Sequence, residues 1–77
     1  MSQIVLPELG DGIAKATVVC WHVKVGDRVR IDDDVVEVVT DKATFNVSST
    51  CEGVVKTLHC AEGQDAQVGQ VLVDVND

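Results

Sequence analysis

Val38-Val39-Thr40-Asp41-Lys42-Ala43-Thr44-Phe45 is the stretch whose reading decides how this chain folds. Two runs rich in β-branched or aromatic residues, Asp34–Thr40 and Ala43–Val47, stand on either side of Asp41 and Lys42. Such residues fit a pleated, half-buried surface. A connection of two residues makes the runs an antiparallel hairpin and leaves Lys42 at its tip. With small neighbours in Ala43 and Thr44, that amine is open to an enzyme that acylates one chosen lysine. An ordinary charged turn has the same local pattern, and only the rest of the chain separates the two.

Outward from the hairpin, short apolar runs alternate with turns. Gln3–Leu6 reads as a strand ended by Pro7, and Glu8–Ile13, with two glycines, as a surface loop. Val19, Trp21, Val23 and Val25 alternate with Val18, Cys20, His22 and Lys24, and the first set is taken as the inward face. Trp21 is thus expected to anchor the core, with His22 and His59 facing out. Gly26-Asp27 is a turn, Val29 and Ile31 a short segment, Asp32–Asp34 a charged corner and Ser48–Gly53 a polar loop. Val54–Cys60 and Val71–Val75 complete the strands, with turns at Glu62-Gly63 and Val68-Gly69. The absence of a helical period predicts an all-β fold, a small sandwich or barrel. The chain also repeats itself at an offset of 37 residues, Gly26 to Gly63, without a gap from Val18 to Val39. Val18 then meets Val55, His22 meets His59, Val36 meets Val73 and Val38 meets Val75. Two copies imply two intertwined halves of one core, and carry Lys42 to a point just past the last residue. Hairpin tip and chain end are therefore expected at opposite ends.

Seventy-seven residues, 45% of them apolar and nearly all aliphatic, suffice for one domain spanning 1–77 with a marginal core. A net charge of −7 argues against nucleic acid and anionic membrane surfaces as partners. No run approaches a membrane span, and no basic-then-apolar leader precedes Ser2-Gln3-Ile4. Cys20, Cys51 and Cys60 are odd in number and lack C-x-x-C spacing, which reads as reduced, buried thiols. His59 and Cys60 are adjacent and point to opposite faces of a strand, and no zinc-spaced ligand set exists along the chain, so no metal is expected. Nor is there a nucleophile–base–orienter set that would make the chain an enzyme.

Leu6-Pro7-Glu8-Leu9-Gly10-Asp11-Gly12-Ile13, Trp21-His22-Val23-Lys24-Val25-Gly26-Asp27 and Glu37-Val38-Val39-Thr40-Asp41-Lys42-Ala43, in register with the repeat, resemble a lipoyl domain. The resemblance covers Ile4 to Val75 and is closest to the amino-terminal domain of the dihydrolipoamide acyltransferases of 2-oxo acid dehydrogenase complexes. It implies a flattened barrel of two four-stranded antiparallel sheets, with Lys42 on a turn of one sheet and both termini near the other. It further implies a carrier: lipoate joined covalently to Lys42, flanked by Asp41 and Ala43, takes an acyl group to coenzyme A. The implied partners are a thiamine-dependent 2-oxo acid decarboxylase, the acyltransferase core, a flavin dihydrolipoamide dehydrogenase and a lipoylating enzyme. Gly10, Asp11, Gly12 and Ile13, with Val39 and Thr40, are expected to meet the decarboxylase. The expected setting is the bacterial cytoplasm, or the mitochondrial matrix if a leader precedes the chain.

Three other readings share the pattern. A biotinyl carrier domain of a carboxylase normally flanks its lysine with methionines, where this chain has Asp41 and Ala43. The glycine-cleavage carrier is longer and has extra helical segments, and an unmodified adaptor barrel would leave the lysine incidental. Departures from the lipoyl pattern are Val39, where many such domains have Glu, Ser48-Ser49-Thr50 in place of a Pro-flanked serine, and Asp32 in place of a glycine. Val39 together with Gly12-Ile13 is more similar to the branched-chain type than to enterobacterial pyruvate domains.

Overall fold

The valine-rich runs form eight strands and no helix in the computed structural model, which describes residues 1–77. They are β1 (Ser2–Val5), β2 (Lys15–Trp21), β3 (Arg28–Val29), β4 (Asp34–Val39), β5 (Thr44–Ser48), β6 (Gly53–Leu58), β7 (Asp65–Gln67) and β8 (Val71–Asn76). One sheet runs β1-β8-β6-β3 and the other β5-β4-β2-β7, antiparallel throughout. Advancing by the repeat turns β2, β3 and β4 into β6, β7 and β8, with β1 and β5 as equivalent edges. The two sheets are thus copies of each other, as the repeat requires. The Lys42 hairpin belongs to one sheet. Both chain ends belong to the other, where the Met1 ammonium lies 3.0 Å from the Asp77 carboxylate and the Ser2 hydroxyl donates to the same group.

Between the sheets lie 15 buried apolar residues, among them Ile4, Leu6, Val18, Val36, Val38, Val55, Leu72, Val73 and Val75. Burial of this kind is the main favourable contribution to a fold of this size. Sequence alternation misplaced part of it. Val18, read as outward, is buried, whereas Val19 and Val25, read as inward, are 42% and 61% exposed. Val25 lies in the turn closed by Asp27 N–H on Lys24 O, whereas for Val18 and Val19 the cause is a β-bulge: Val18 pairs with Val38 but Cys20 pairs with Glu37, so Val19 is an extra residue in β2. An extra residue reverses the face of everything beyond it. Ala16 and Val18 point inward before the bulge, and Trp21 and Val23 pack against the core after it. The repeat reproduces the device, with Lys56 extra in β6, and a second pair of bulges makes Val35 extra in β4 and Leu72 extra in β8. Those explain why Val35-Val36 and Leu72-Val73 are buried as adjacent pairs, against strict alternation.

Two strand segments escaped the sequence reading. The first turn of pairing in β2, Lys15–Thr17, and all of β7, Asp65–Gln67, are polar apart from Ala16 and Ala66, and they pair with each other. Ile31, grouped with Val29, is 60% exposed, whereas Val29 is buried. Of the cysteines only Cys60 is buried; Cys20 and Cys51 are half-exposed, so the expectation of interior thiols holds for one of three.

The corners share one construction. Asp27 donates its N–H to Lys24 O, Asp33 to Arg30 O, Gln64 to Ala61 O and Gln70 to Gln67 O. In each turn the third residue has positive φ: Gly26, Asp32, Gly63 and Gly69, at 98, 75, 88 and 89°. That is the requirement of a type II turn, and Asp32 meets it without glycine. The fourth side chain then accepts from the first N–H, as Asp27, Asp33, Gln64 and Gln70 do at 2.9–3.1 Å. Asp33 of the charged corner is thus exposed and also caps its turn.

Candidate functional site

The hairpin at Lys42 is built by its strands. Ladder pairing of β4 with β5 runs from Asp34↔Ser48 to Val39↔Thr44, so four residues, Thr40–Ala43, stand beyond the last strand pair rather than two. Thr40 N–H donates to Ala43 O at 2.8 Å and closes the base of the turn. The Thr40 hydroxyl oxygen accepts from Lys42 N–H at 3.2 Å and from Ala43 N–H at 3.1 Å, and the hydroxyl donates to Ala43 O at 3.1 Å. One side chain thus fixes the two peptide groups that carry the lysine, in the manner of an ST turn. No residue of the turn has positive φ. Sequence reasoning placed Thr40 among residues meeting a partner and missed this holding role, although Thr two places before the tip is its signal.

Asp41, Lys42, Ala43 and Thr44 are all exposed, and Lys42 makes none of the ion pairs of the molecule. Lys15 differs in lying on a strand with its ammonium 3.5 Å from Asp65, Lys56 lies on β6, and Lys24 opens the turn at Gly26. Lys42 alone is carried at a hairpin tip. An exposed, unpaired amine between small or short side chains fits amide linkage to a carboxylic acid cofactor, since nothing must be displaced to form it.

Beside the turn lies an open groove of about 620 Å³ lined by Gly12, Ile13, Ala14, Lys15, Ala16 and Thr17 on one side and Val39, Thr40 and Asp41 on the other. The loop after β1 and the lysine turn are neighbours through Gly12, Ile13, Val39 and Thr40; Gly10 and Asp11 lie outside this lining. Ile13 is half-buried rather than exposed, because the loop folds back: Ile13 N–H donates to Gly10 O at 3.3 Å, and its Cδ1 lies 3.5 Å from where a Cβ of Gly10 would stand. The floor is pinned to β7 by the Thr17 hydroxyl, which donates to Asp65 at 2.6 Å. That hydrogen bond, with the nearby Lys15 ammonium, holds the Asp65 carboxyl below its ordinary range.

Comparison with known proteins matches residues 2–75 to the biotin/lipoyl family model, described as "Biotin-requiring enzyme". The succinyltransferase component of the 2-oxoglutarate dehydrogenase complex of Buchnera aphidicola is 41% identical over 74 residues, 96% of this chain and 18% of that protein. The lipoamide acyltransferase component of the branched-chain alpha-keto acid dehydrogenase complex of Caenorhabditis elegans is 42% identical over 73 residues, 95% of this chain and 16% of that protein. The chain thus spans less than a fifth of the length of these relatives. Among solved structures, the lipoyl domain of the 2-oxoglutarate dehydrogenase complex of Azotobacter vinelandii superimposes with a TM-score of 0.76 at 30% identity, covering 100% of this chain and 98% of that one. The lipoyl domain of the Escherichia coli dihydrolipoyl succinyltransferase gives 0.76 at 33% identity, covering 97% and 94%.

Proposed function

Because this chain belongs to the biotin/lipoyl attachment family, as one of its lipoyl domains, we propose that Lys42 is the residue lipoylated and that the domain carries acyl groups for a 2-oxo acid dehydrogenase complex. The observation that carries the assignment is the Thr40-held turn, which presents Lys42 and no other lysine. Bound lipoate supplies a reducible disulfide ring that takes up and hands on an acyl group. The chain's own part is mechanical. Two paired strands hold the amide linkage clear of the barrel, the turn keeps its peptide groups fixed, and exposed flanks leave the arm free to swing. Tethering replaces free diffusion by an effective acyl-carrier concentration of about millimolar at each active site the arm reaches.

In this reading the groove along Gly12–Thr17 and Val39–Asp41 receives the decarboxylase, so that protein contacts as well as cofactor are available to its transition state. The acyltransferase core and the flavin enzyme act on the arm in turn. Relatives named for 2-oxoglutarate, pyruvate and branched-chain 2-oxo acid complexes match at 31–42% identity, so all three decarboxylases belong in the test.

The first experiment offers the chain lipoate, ATP and a lipoylating ligase, and locates the adduct by mass spectrometry. One lipoyl group on Lys42 is expected, and none on Lys42→Arg, whose sheet circular dichroism should match the parent. An adduct on Lys15, Lys24 or Lys56 overturns the assignment, as does biotinylation of Lys42 in cells with lipoylation absent. The second deletes Asp11 and Gly12 from the loop. Lipoylation should persist, whereas reductive acylation by the matching decarboxylase should fall about tenfold, the consequence of losing ~1.4 kcal/mol of transition-state binding. Equal acylation rates would remove the loop from recognition.

A further inference from the structure

The barrel's symmetry makes a comparison within one chain possible, and it isolates a cluster that the carrier role does not use. On the outer face of the sheet that bears Lys42, the ligand atoms of Cys20, His22 and Glu37 all lie within 4.8 Å of one another. Cys20 and Glu37 are directly paired across β2 and β4. His22 is two residues beyond Cys20, on the same face. The bulge at Val19 sets this arrangement, because the pairing of Val18 with Val38, continued without it, would put Cys20 opposite Val36.

The equivalent positions in the other half are Thr57, His59 and Asp74. There His59 Nε2 lies 2.9 Å from one Asp74 oxygen and Gln3 Nε2 donates to the other at 3.2 Å, so the carboxylate is already satisfied. In the first half the histidine turns elsewhere: His22 Nε2 lies 3.0 Å from Asn46 Oδ1. An amide oxygen only accepts, so this contact suits the tautomer with its proton on Nε2, which offers Nδ1 as the ligand nitrogen. Metal-ligating imidazoles are held in this way, with the second nitrogen donating to a neighbouring oxygen. Asn46 is itself the β5 partner of Glu37. The Glu37 carboxylate takes part in none of the molecule's ion pairs.

We propose that Cys20, His22 and Glu37 form a binding site for a zinc-class divalent transition metal, with Asn46 as the residue that positions His22. One thiolate, one imidazole and one carboxylate suit a borderline-soft ion and not magnesium or calcium, which take oxygen ligands. Zinc bonds of about 2.0–2.3 Å in tetrahedral geometry set ligand atoms about 3.5 Å apart, so side chains this close need to move by only about 1 Å. Three protein ligands leave a fourth position for water or for a group from another molecule. The net charge of −7 also favours a cation over an anion. Metal binding releases the thiol proton to solvent as the sulfur–metal bond forms. The sequence argument against a metal considered ligand spacing along the chain, whereas this set is assembled across two strands.

The test titrates the chain, reduced and metal-free, with Co²⁺ and then Zn²⁺. Co²⁺ should bind one per chain with a thiolate-to-cobalt charge-transfer band in the near ultraviolet, and Zn²⁺ should abolish the band by displacement. Cys20→Ser should remove the band, and His22→Ala and Glu37→Gln should each weaken binding by about tenfold or more. Asn46→Ala, which touches no metal, should weaken it by about tenfold while the band persists at saturation. His59→Ala and Cys51→Ser are the internal controls and should bind as the parent does. Circular dichroism of each variant establishes that the fold is kept. A parent that binds no more tightly than Cys20→Ser, or a band that disappears in Cys51→Ser or His59→Ala instead, overturns the proposal. These outcomes are independent of lipoylation and leave the Lys42 assignment untouched.

Discussion

At the scale of the residue, the candidate site depends on one hydroxyl as much as on the lysine it serves. Thr40 replaces a backbone carbonyl as acceptor for Lys42 N–H and Ala43 N–H. Thr40→Val keeps the β-branched shape and removes that acceptor, so the strands should persist while the tip loosens. Freed N–H groups at an exposed tip turn to water, and the stability cost should be only about 1 kcal/mol. The rate of lipoylation should suffer more, by roughly tenfold or more, since enzymes lose rate steeply when a reacting group is held loosely. Thr40→Ser should restore it. A valine variant lipoylated as fast as the parent would show that the ligase shapes the turn itself. That Lys42 stands on a tight hairpin turn was legible from sequence, because so short a gap between β-branched runs admits little else. The role of Thr40 was not, because a hydroxyl that bonds its own turn and one that faces a partner look alike in a string of residues.

At the scale of the element, bulges decide which side chains reach the core. Val19 in β2 is the clearest case: one extra residue turns Val18 in and leaves Trp21 and Val23 inward beyond it. Trp21 is half-buried, packs on the core and donates its indole N–H to Cys60 O at 2.8 Å. Trp21→Ala should therefore destabilise the domain by about 3 kcal/mol, at the low end for a large aromatic because part of the ring stays wet and one carbonyl loses its donor. Chemical denaturation measures this against Gln67→Ala on the exposed side of β7. Equal midpoints would mean that the indole contributes nothing to the fold. The reading of Trp21 as an anchor came from alternation, and its inward direction is right. Alternation could not place Val18 and Val19, because a bulge depends on how many partner residues a strand faces.

At the scale of the whole molecule, the termini and three strands of one sheet are joined by a polar row. Gln3 of β1 donates to Asp74 of β8, and His59, just beyond β6, lies 2.9 Å from the same carboxylate. Hydrogen bonding from His59, with further help from Gln3, holds the Asp74 carboxyl below its ordinary range. A carboxylate depressed in the folded state contributes stability above its unfolded pKa, and that contribution is lost as pH falls through the folded value. Asp74→Asn should accordingly melt below the parent near neutrality, and the gap should close on acidification below the carboxylate range. A gap of constant size from neutral to acid pH would show that the charge of Asp74 contributes nothing. Because Asp74 is on the sheet opposite Lys42, lipoylation should be the same in both proteins.

Turn residues, β-branched density and the 37-residue repeat determined by themselves that this chain is an all-β barrel of two equivalent halves with one lysine on a hairpin. The physical reason is local: a short connection between strands, a glycine at positive φ and a strand's period of two are properties of neighbouring residues. The tertiary structure alone decided which valines are buried around each bulge, that Thr40 holds the turn, and that the loop after β1 forms a groove with it. It alone also brought Cys20, His22 and Glu37 together. Each of these depends on the pairing of strands distant in sequence, and register across a sheet is set by the packing of both faces rather than by any single run of residues.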